Sequence, residues 1–215
     1  MDRWATFDCY GTLIDWNGGI GRELERLFGA DRASALLHRY HDLEPQVQRE
    51  EPTRSYRDVM TLTLARIADV PVDERDALAR SLPSWEPFPE VRASLEEARS
   101  RGWKLAILSN TDRDYIDASM ERIGVPFELA IVASEIGSYK PAHRHWEEFF
   151  ARTGADRNGH VHVAASLFHD IAPARELGLR SIWINRLGEE AKPRPDVELR
   201  SLNGFSDALD SLAEG

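Results

Sequence analysis

Four segments of this 215-residue chain carry side chains that could do covalent chemistry together. Asp8 lies in Phe7-Asp8-Cys9-Tyr10-Gly11-Thr12-Leu13, directly after the apolar run Trp4–Phe7. A carboxylate at the end of a buried strand, ahead of a glycine turn, is placed to attack a ligand. Ser109 and Asn110 follow the run Lys104–Leu108 and offer a hydroxyl and an amide to an anion. Lys140, in Ser138-Tyr139-Lys140-Pro141, is a cation that could hold carboxylates together. Ser166, His169 and Asp170 follow the run Val161–Ala164.

Each group also has an ordinary explanation. Asp8 and Asp170 could cap turns, Ser109-Asn110-Thr111 could open a helix, Lys140 could be a solvated surface lysine, and His169 a partly exposed imidazole. Their joint placement argues for more. All follow predicted strands in chain order, on one edge of one sheet, which is the geometry an active site needs.

The elements that must position them read as repeated β–α units. Trp4–Phe7, Lys104–Leu108, Leu129–Val132, Val161–Ala164 and Ser181–Ile184 are continuous apolar runs, as parallel strands covered on both faces are. Amphipathic stripes lie between them, such as Val91, Leu95 and Ala98, or Ile116, Met120 and Ile123. Gly102, Gly124 and Gly178 stand where those helices should stop. The expected fold is α/β, a doubly wound, Rossmann-like parallel sheet.

Between about Asp15 and Ser84 the chain shows helical periodicity and no strand. Leu24, Leu27 and Phe28 form one stripe, Leu36, Leu37, Tyr40 and Leu43 a second, and Val59, Leu62, Ala65 and Ile67 a third. We expect a core of residues 1–14 and 85–215 with a helical cap at 15–84. Trp85-Glu86-Pro87-Phe88-Pro89 would be the stiff return hinge, and the cap a lid over the site.

A formal net charge of -10 argues against nucleic acid as the partner, because phosphate binding needs clustered Lys and Arg. Cys9 is the only cysteine, so no intrachain disulfide can form, which suits a reducing cytoplasm. No signal peptide and no apolar run of membrane-spanning length is evident. A cytoplasmic enzyme acting on a small molecule is the expectation.

The segments FDCYGTLID, LAILSNT, YKP and SLFHD resemble the four motifs of the haloacid dehalogenase superfamily, over nearly the whole span from Phe7 to about Arg186. The insertion resembles the α-helical cap of its dehalogenase-like and phosphoglycolate-phosphatase-like branches. The resemblance implies Asp8 as covalent nucleophile, with Lys140 and Asp170 as catalytic partners. Phosphatases of the superfamily carry a second aspartate where this chain has Tyr10, and an acidic metal ligand where it has Ala165. Tyr10 and the D-x-Y-G-T form resemble instead the 2-haloacid dehalogenases, which need no metal or other cofactor. That likeness implies a small 2-substituted carboxylate as substrate. Thr12, Ser109, Asn110, Ser166 and His169 would bind it, Tyr10 and the cap residue Arg39 would wall off the leaving halide, and Lys140 would keep Asp8 ionised. It also makes a homodimer plausible.

The sequence departs from that pattern at Ala165 and Leu167, where a serine and an asparagine are usual, at Trp146 in place of a tyrosine, and at His169 beside Asp170. Ring opening of a small cyclic carboxylate would use the same attack at carbon. The residues also leave open a magnesium-dependent phosphatase with an eroded metal site, and a noncatalytic binding protein on the same scaffold.

Overall fold

The computed structural model describes residues 2–50 and 54–214. Six strands, β1 (Arg3–Phe7), β2 (Trp103–Ser109), β3 (Leu129–Val132), β4 (His160–Ala164), β5 (Arg180–Ile184) and β6 (Val197–Leu199), form one parallel sheet in the order β3-β2-β1-β4-β5-β6. The order reverses at β1, so the crevice at its carboxyl end is the ligand-binding position of a doubly wound sheet. Asp8 is the first residue beyond β1. The five expected strands are present within one or two residues. The short edge strand β6 is an addition to them: only three residues long, with Glu198 exposed, it has no continuous apolar run to mark it.

The cap helices α1 (Trp16–Phe28), α2 (Ala30–Glu50), α3 (Tyr56–Ile67) and α4 (Ala77–Ser81) all lie between β1 and β2. The core helices follow as α5 (Val91–Ser100), α6 (Arg113–Ile123), α7 (Ala133–Ile136), α8 (Arg144–Thr153), α9 (Ala172–Glu176) and α10 (Phe205–Glu214). Gly124 caps α6 at φ 69°, a left-handed conformation that costs a residue without Cβ little.

The third stripe requires correction. On α3 the buried residues are Tyr56, Val59, Met60, Thr63, Leu64 and Ile67, while Ala65 is exposed and Leu62 half-buried. The inward face runs through Thr63, whose hydroxyl bonds back to the Val59 carbonyl at 2.7 Å and so can be buried.

Two devices tie the cap to the core. Buried Asp112, just beyond β2, accepts hydrogen bonds from the backbone N–H groups of Tyr56 and Arg57 at 2.9 and 3.0 Å. A core carboxylate thus satisfies the amino end of a cap helix and opposes its dipole. The Tyr139 hydroxyl donates to the Arg54 carbonyl at 2.8 Å. No helix of the described residues is long and apolar enough to cross a membrane.

The return hinge packs against a glycine. A Cβ on Gly19 of α1 would lie 2.2 Å from the buried Trp85 ring, whereas one on Gly21 would meet nothing within 4 Å. Gly19→Ala should therefore lower stability by about 1–3 kcal/mol through overpacking. Gly21→Ala should raise it by about 0.5–1 kcal/mol through helix propensity. Thermal unfolding of the two variants reads the difference; equal melting shifts would show that Gly19 and Trp85 are not in tight contact.

Candidate active site

Asp8, Lys140 and Asp170 meet at the carboxyl ends of β1 and β4. Lys140 Nζ lies 3.0 Å from Asp8 Oδ1 and 2.6 Å from Asp170 Oδ1, and donates its third hydrogen to the Leu108 carbonyl at 2.7 Å. Lys140 and Asp170 are each 1% exposed. Burying the ammonium costs several kcal/mol unless every donor is paired, and here all three are. The attraction of Asp170 and Asp8 outweighs burial and raises the lysine's pKa, so it stays charged.

Burial pushes the Asp8 carboxyl up, and the Asp170 charge adds to this; Lys140 and Thr12 pull it down, and the balance is raised. Lys140 pulls in the expected direction, but burial is the larger influence. Asp170 is lowered: burial opposes ionisation, but Lys140 and His162 together prevail.

Thr12 holds Asp8. Its hydroxyl donates to Asp8 Oδ2 at 3.0 Å and accepts from the Ala165 N–H at 2.9 Å, and the side chain is fully buried. It does not line the cavity in front of Asp8, so it orients Asp8 rather than contacting a ligand. Asn110 is similarly engaged. Its amide donates to the Lys140 carbonyl at 2.9 Å and accepts from the Lys140 N–H at 2.6 Å, fixing the backbone that carries the lysine. The buried Ser109 hydroxyl, by contrast, has no partner among the described residues.

In front of Asp8 lies a cavity of about 590 Å³. Tyr10, Ser109, Asn110, Ser166, His169 and Arg186 line its core side. The Tyr10 phenol hydrogen-bonds Ser119 at 3.0 Å, and its ring stacks on Tyr56 of the cap. Burial raises its pKa far above the ordinary phenol value, so it is no proton donor at neutral pH. A tight turn with Asp170 N–H and Ile171 N–H both directed at the Ser166 carbonyl, at 3.2 Å, presents His169. Ser166 Oγ meets His169 Nδ1 at 3.1 Å, and burial pushes the imidazole down to about 4, so it is neutral.

Arg39 does not reach this cavity. It is exposed on α2 and lines a separate surface depression with Asp42, Leu43, Gln46, Arg66 and Ile67. On α2 the buried positions are Leu36, Tyr40, Glu44, Val47 and Gln48, a face spaced by four residues that turns Arg39 aside. The guanidinium of the cavity wall is that of Arg186, which lies 3.6 Å over the Phe88 ring and bonds Glu90 and the Thr12 carbonyl at 2.8 and 2.9 Å. It follows β5 by two residues, so the strand-end argument extended to that strand would have found it.

The cap side is Trp16, Asn17, His41, Glu44, Gln48 and Tyr56. His41 stacks on Trp16 and hydrogen-bonds Asn17 Oδ1 at 2.9 Å. Glu44 accepts from Gln48 Nε2 at 2.5 Å. The sequence marks none of Asn17, His41, Glu44 and Gln48 as a site residue, because polar residues on a helix read as solvated.

Magnesium does not fit this donor set. Asp8 and Asp170 are the carboxylates at the sheet edge, Tyr10 and Ala165 supply no further acid, and Lys140 already bridges the pair. Among the described residues no cluster of three or more His, Cys, Asp or Glu side chains could hold a metal ion.

Glu44 makes a stability test. Burial raises it from 4.5 to about 7, against the pull of Gln48 and Tyr56. The folded protein therefore keeps a proton that the unfolded chain releases as pH rises between those values, and stability falls through that window. Glu44→Gln removes the loss. Its unfolding free energy relative to wild type should climb by about 1–3 kcal/mol across the window. Parallel denaturation profiles for the two proteins from acid to neutral pH would contradict this environment.

A family model for haloacid dehalogenase-like hydrolases matches residues 3–178. The chain is 32% identical to an (S)-2-haloacid dehalogenase of Pseudomonas sp. (strain YL), over 96% of this chain and 94% of that protein. Among solved structures, an L-2-haloacid dehalogenase superposes with a TM-score of 0.87 at 22% identity, covering 97% and 99% of the two chains. The L-2-haloacid dehalogenase of Xanthobacter autotrophicus with chloropropionic acid covalently bound gives 0.84 at 18%, covering 98% and 99%. The sheet order, the helical insertion after β1 and these matches agree that the chain belongs to the haloacid dehalogenase-like hydrolase family.

Proposed function

We propose that this hydrolase displaces a halide from the α-carbon of a small 2-substituted carboxylate through an ester of Asp8. The observation that carries the reading is the pairing of Asp8 and Asp170 on one buried lysine, in a cavity whose second acid position is a phenol tied to Ser119. Phosphate ester cleavage needs a proton for the leaving alkoxide, and Tyr10 cannot give one. Halide is a weak base and leaves without it. The 32% identity to an (S)-2-haloacid dehalogenase over nearly both chains supports the same choice.

In the first step an Asp8 carboxylate oxygen forms a bond to carbon 2, and the halide departs with the bonding pair. Burial helps, since a raised carboxyl is the more basic and less hydrated nucleophile. In the second step water adds to the Asp8 carbonyl carbon. Asp170 takes its proton, the bond from that carbon to the alkyl oxygen breaks, Asp170 passes the proton to that oxygen, and a 2-hydroxy acid leaves while the regenerated Asp8 carboxyl gives its own proton to solvent. The net change is haloacid and water to hydroxy acid, halide and a proton.

Ser109 and the remaining amide hydrogen of Asn110 would receive the substrate carboxylate, with Arg186 supplying positive charge. Tyr10, Trp16 and Tyr56 would surround the leaving group, the part that the resemblance gives to Arg39. Ser166 and His169 would border the substrate. Hydrolytic opening of a small cyclic carboxylate is a second outcome of the same attack, and the polar cap wall of His41, Glu44 and Gln48 favours testing it. A place in the cytoplasm fits the single, buried thiol of Cys9.

A screen for halide and acid release over short 2-halocarboxylates and small cyclic amino acids, with and without EDTA, tests this reading. Halide release that EDTA leaves intact, and that Asp8→Asn reduces by about 10³-fold or more, is the expected result. Aryl phosphate hydrolysis that EDTA abolishes and magnesium restores would move the assignment to a phosphatase.

A further inference from the structure

Three buried polar side chains lie behind Asp170, in the middle of the sheet. His160 and His162 alternate on β4, and Thr6 faces them from β1, where Thr6 pairs in register with His162. All three are 0% exposed. Such positions normally hold apolar residues, because an unpaired polar group there costs several kcal/mol. Here they are joined. Thr6 Oγ1 is 2.8 Å from His160 Nε2 and 2.8 Å from His162 Nδ1, and His162 Nε2 is 3.0 Å from Asp170 Oδ1.

With a neutral His162 ring the hydrogens have one consistent arrangement. An ionised Asp170 can only accept, so His162 donates from Nε2, and its Nδ1 accepts the Thr6 hydroxyl hydrogen. Thr6 then accepts from His160 Nε2. That leaves His160 Nδ1 bare, and this nitrogen has no partner among the described residues. Burial and the neighbouring His162 hold His160 neutral, as this arrangement requires. Every link donates toward Asp170, and hydrogen bonds aligned in this way polarise one another. Trp146 packs its edge against the His162 ring at 5.1 Å, which fixes the ring plane.

We infer that His162, backed by Thr6 and His160, is a positioning residue that locks Asp170 with Oδ1 turned inward and Oδ2 left for the hydrolytic water. Oδ1 accepts from both His162 and Lys140, at 3.0 and 2.6 Å. Oδ2 is buried and has no partner among the described residues. Asp170 lines the cavity before Asp8. Without His162 the carboxylate would be free to turn and give Lys140 both oxygens, leaving no base for water. The inference rests on the aspartyl-ester reading. It concerns the second step, because Oδ2 does not touch Asp8 in the first.

The test is rapid-quench turnover of a 2-chlorocarboxylate by His162→Phe, with the intact protein mass followed over time. Ester formation should stay near the wild-type rate. Ester hydrolysis should slow about 10- to 100-fold, so that the mass of the alkylated enzyme accumulates. His162→Gln, which keeps a donor, should recover part of the loss. Thr6→Val, which cuts the chain one link back and preserves volume, should show the same defect in milder form and serves if His162→Phe does not fold. Equal loss in both steps, or none in either, would overturn the inference. Nitrogen NMR of His162 gives a readout independent of the ester: a ring with its proton on Nε2 and none on Nδ1 is expected. A ring protonated on Nδ1 refutes the positioning chain. The expected tautomer in an enzyme that never forms an ester refutes the displacement reading instead.

Discussion

The ammonium of Lys140 is the charge on which the rest of this site depends. It is buried with three donors, and two of their acceptors are the carboxylates of Asp8 and Asp170. Removing either carboxylate would strand part of a buried ion pair, and removing the lysine would leave two carboxylates facing each other in a low dielectric. The sheet edge is arranged around that point. Asn110 clamps the lysine's backbone, Thr12 bridges Asp8 to the Ala165 amide, and His162 holds Asp170 from behind. Supporting contacts of this kind give a reactive carboxylate one orientation without adding charge.

One cation between two acids also sets the chemistry. Lys140 and His162 together keep Asp170 ionised against its burial, while burial leaves Asp8 more basic. Two carboxylates on one lysine are thereby distinguished by environment alone, as the proposed nucleophile and base require. The cap adds a wall unlike the core. Tyr10 and Tyr56 stack across the junction, and the Glu44–Gln48 and His41–Asn17 pairs face the same cavity. That wall holds a buried carboxyl, Glu44, whose pKa is raised by its burial.

Much of the core is legible in the sequence because parallel strands buried on both faces leave unbroken apolar runs. Asp8, Ser109, Asn110 and Asp170 follow from one rule, that polar groups at the carboxyl ends of such strands share an edge, and the structure brings them around one cavity with Lys140, which lies past α7 in the turn before α8. The rule fails where its signal weakens. The short β6 has an exposed Glu198 at its centre. His160 and His162 sit inside a strand, not after it, and only their pairing with Thr6 across two strands makes sense of them. Arg39 is suggested by resemblance rather than by helix phase. The α2 face that enters the interior repeats through Leu36, Tyr40, Glu44 and Gln48, and polar residues on it carry no hydrophobic mark. Asn110 and Thr12 have the side chains of ligand-binding residues, while the geometry engages them with Lys140 and Asp8. Residue type tells what a side chain can bond, and only packing tells which partner it meets.

A single turnover in heavy-oxygen water, with enzyme in excess over a 2-halocarboxylate, tests the central claim most directly. If Asp8 attacks carbon, the first product takes its hydroxyl oxygen from Asp8, and solvent oxygen enters the Asp8 carboxylate when water cleaves the ester. The account predicts labelled Asp8 and unlabelled product in that turnover. Labelled product beside an unlabelled Asp8 would mean that water attacks the substrate directly, and would contradict it.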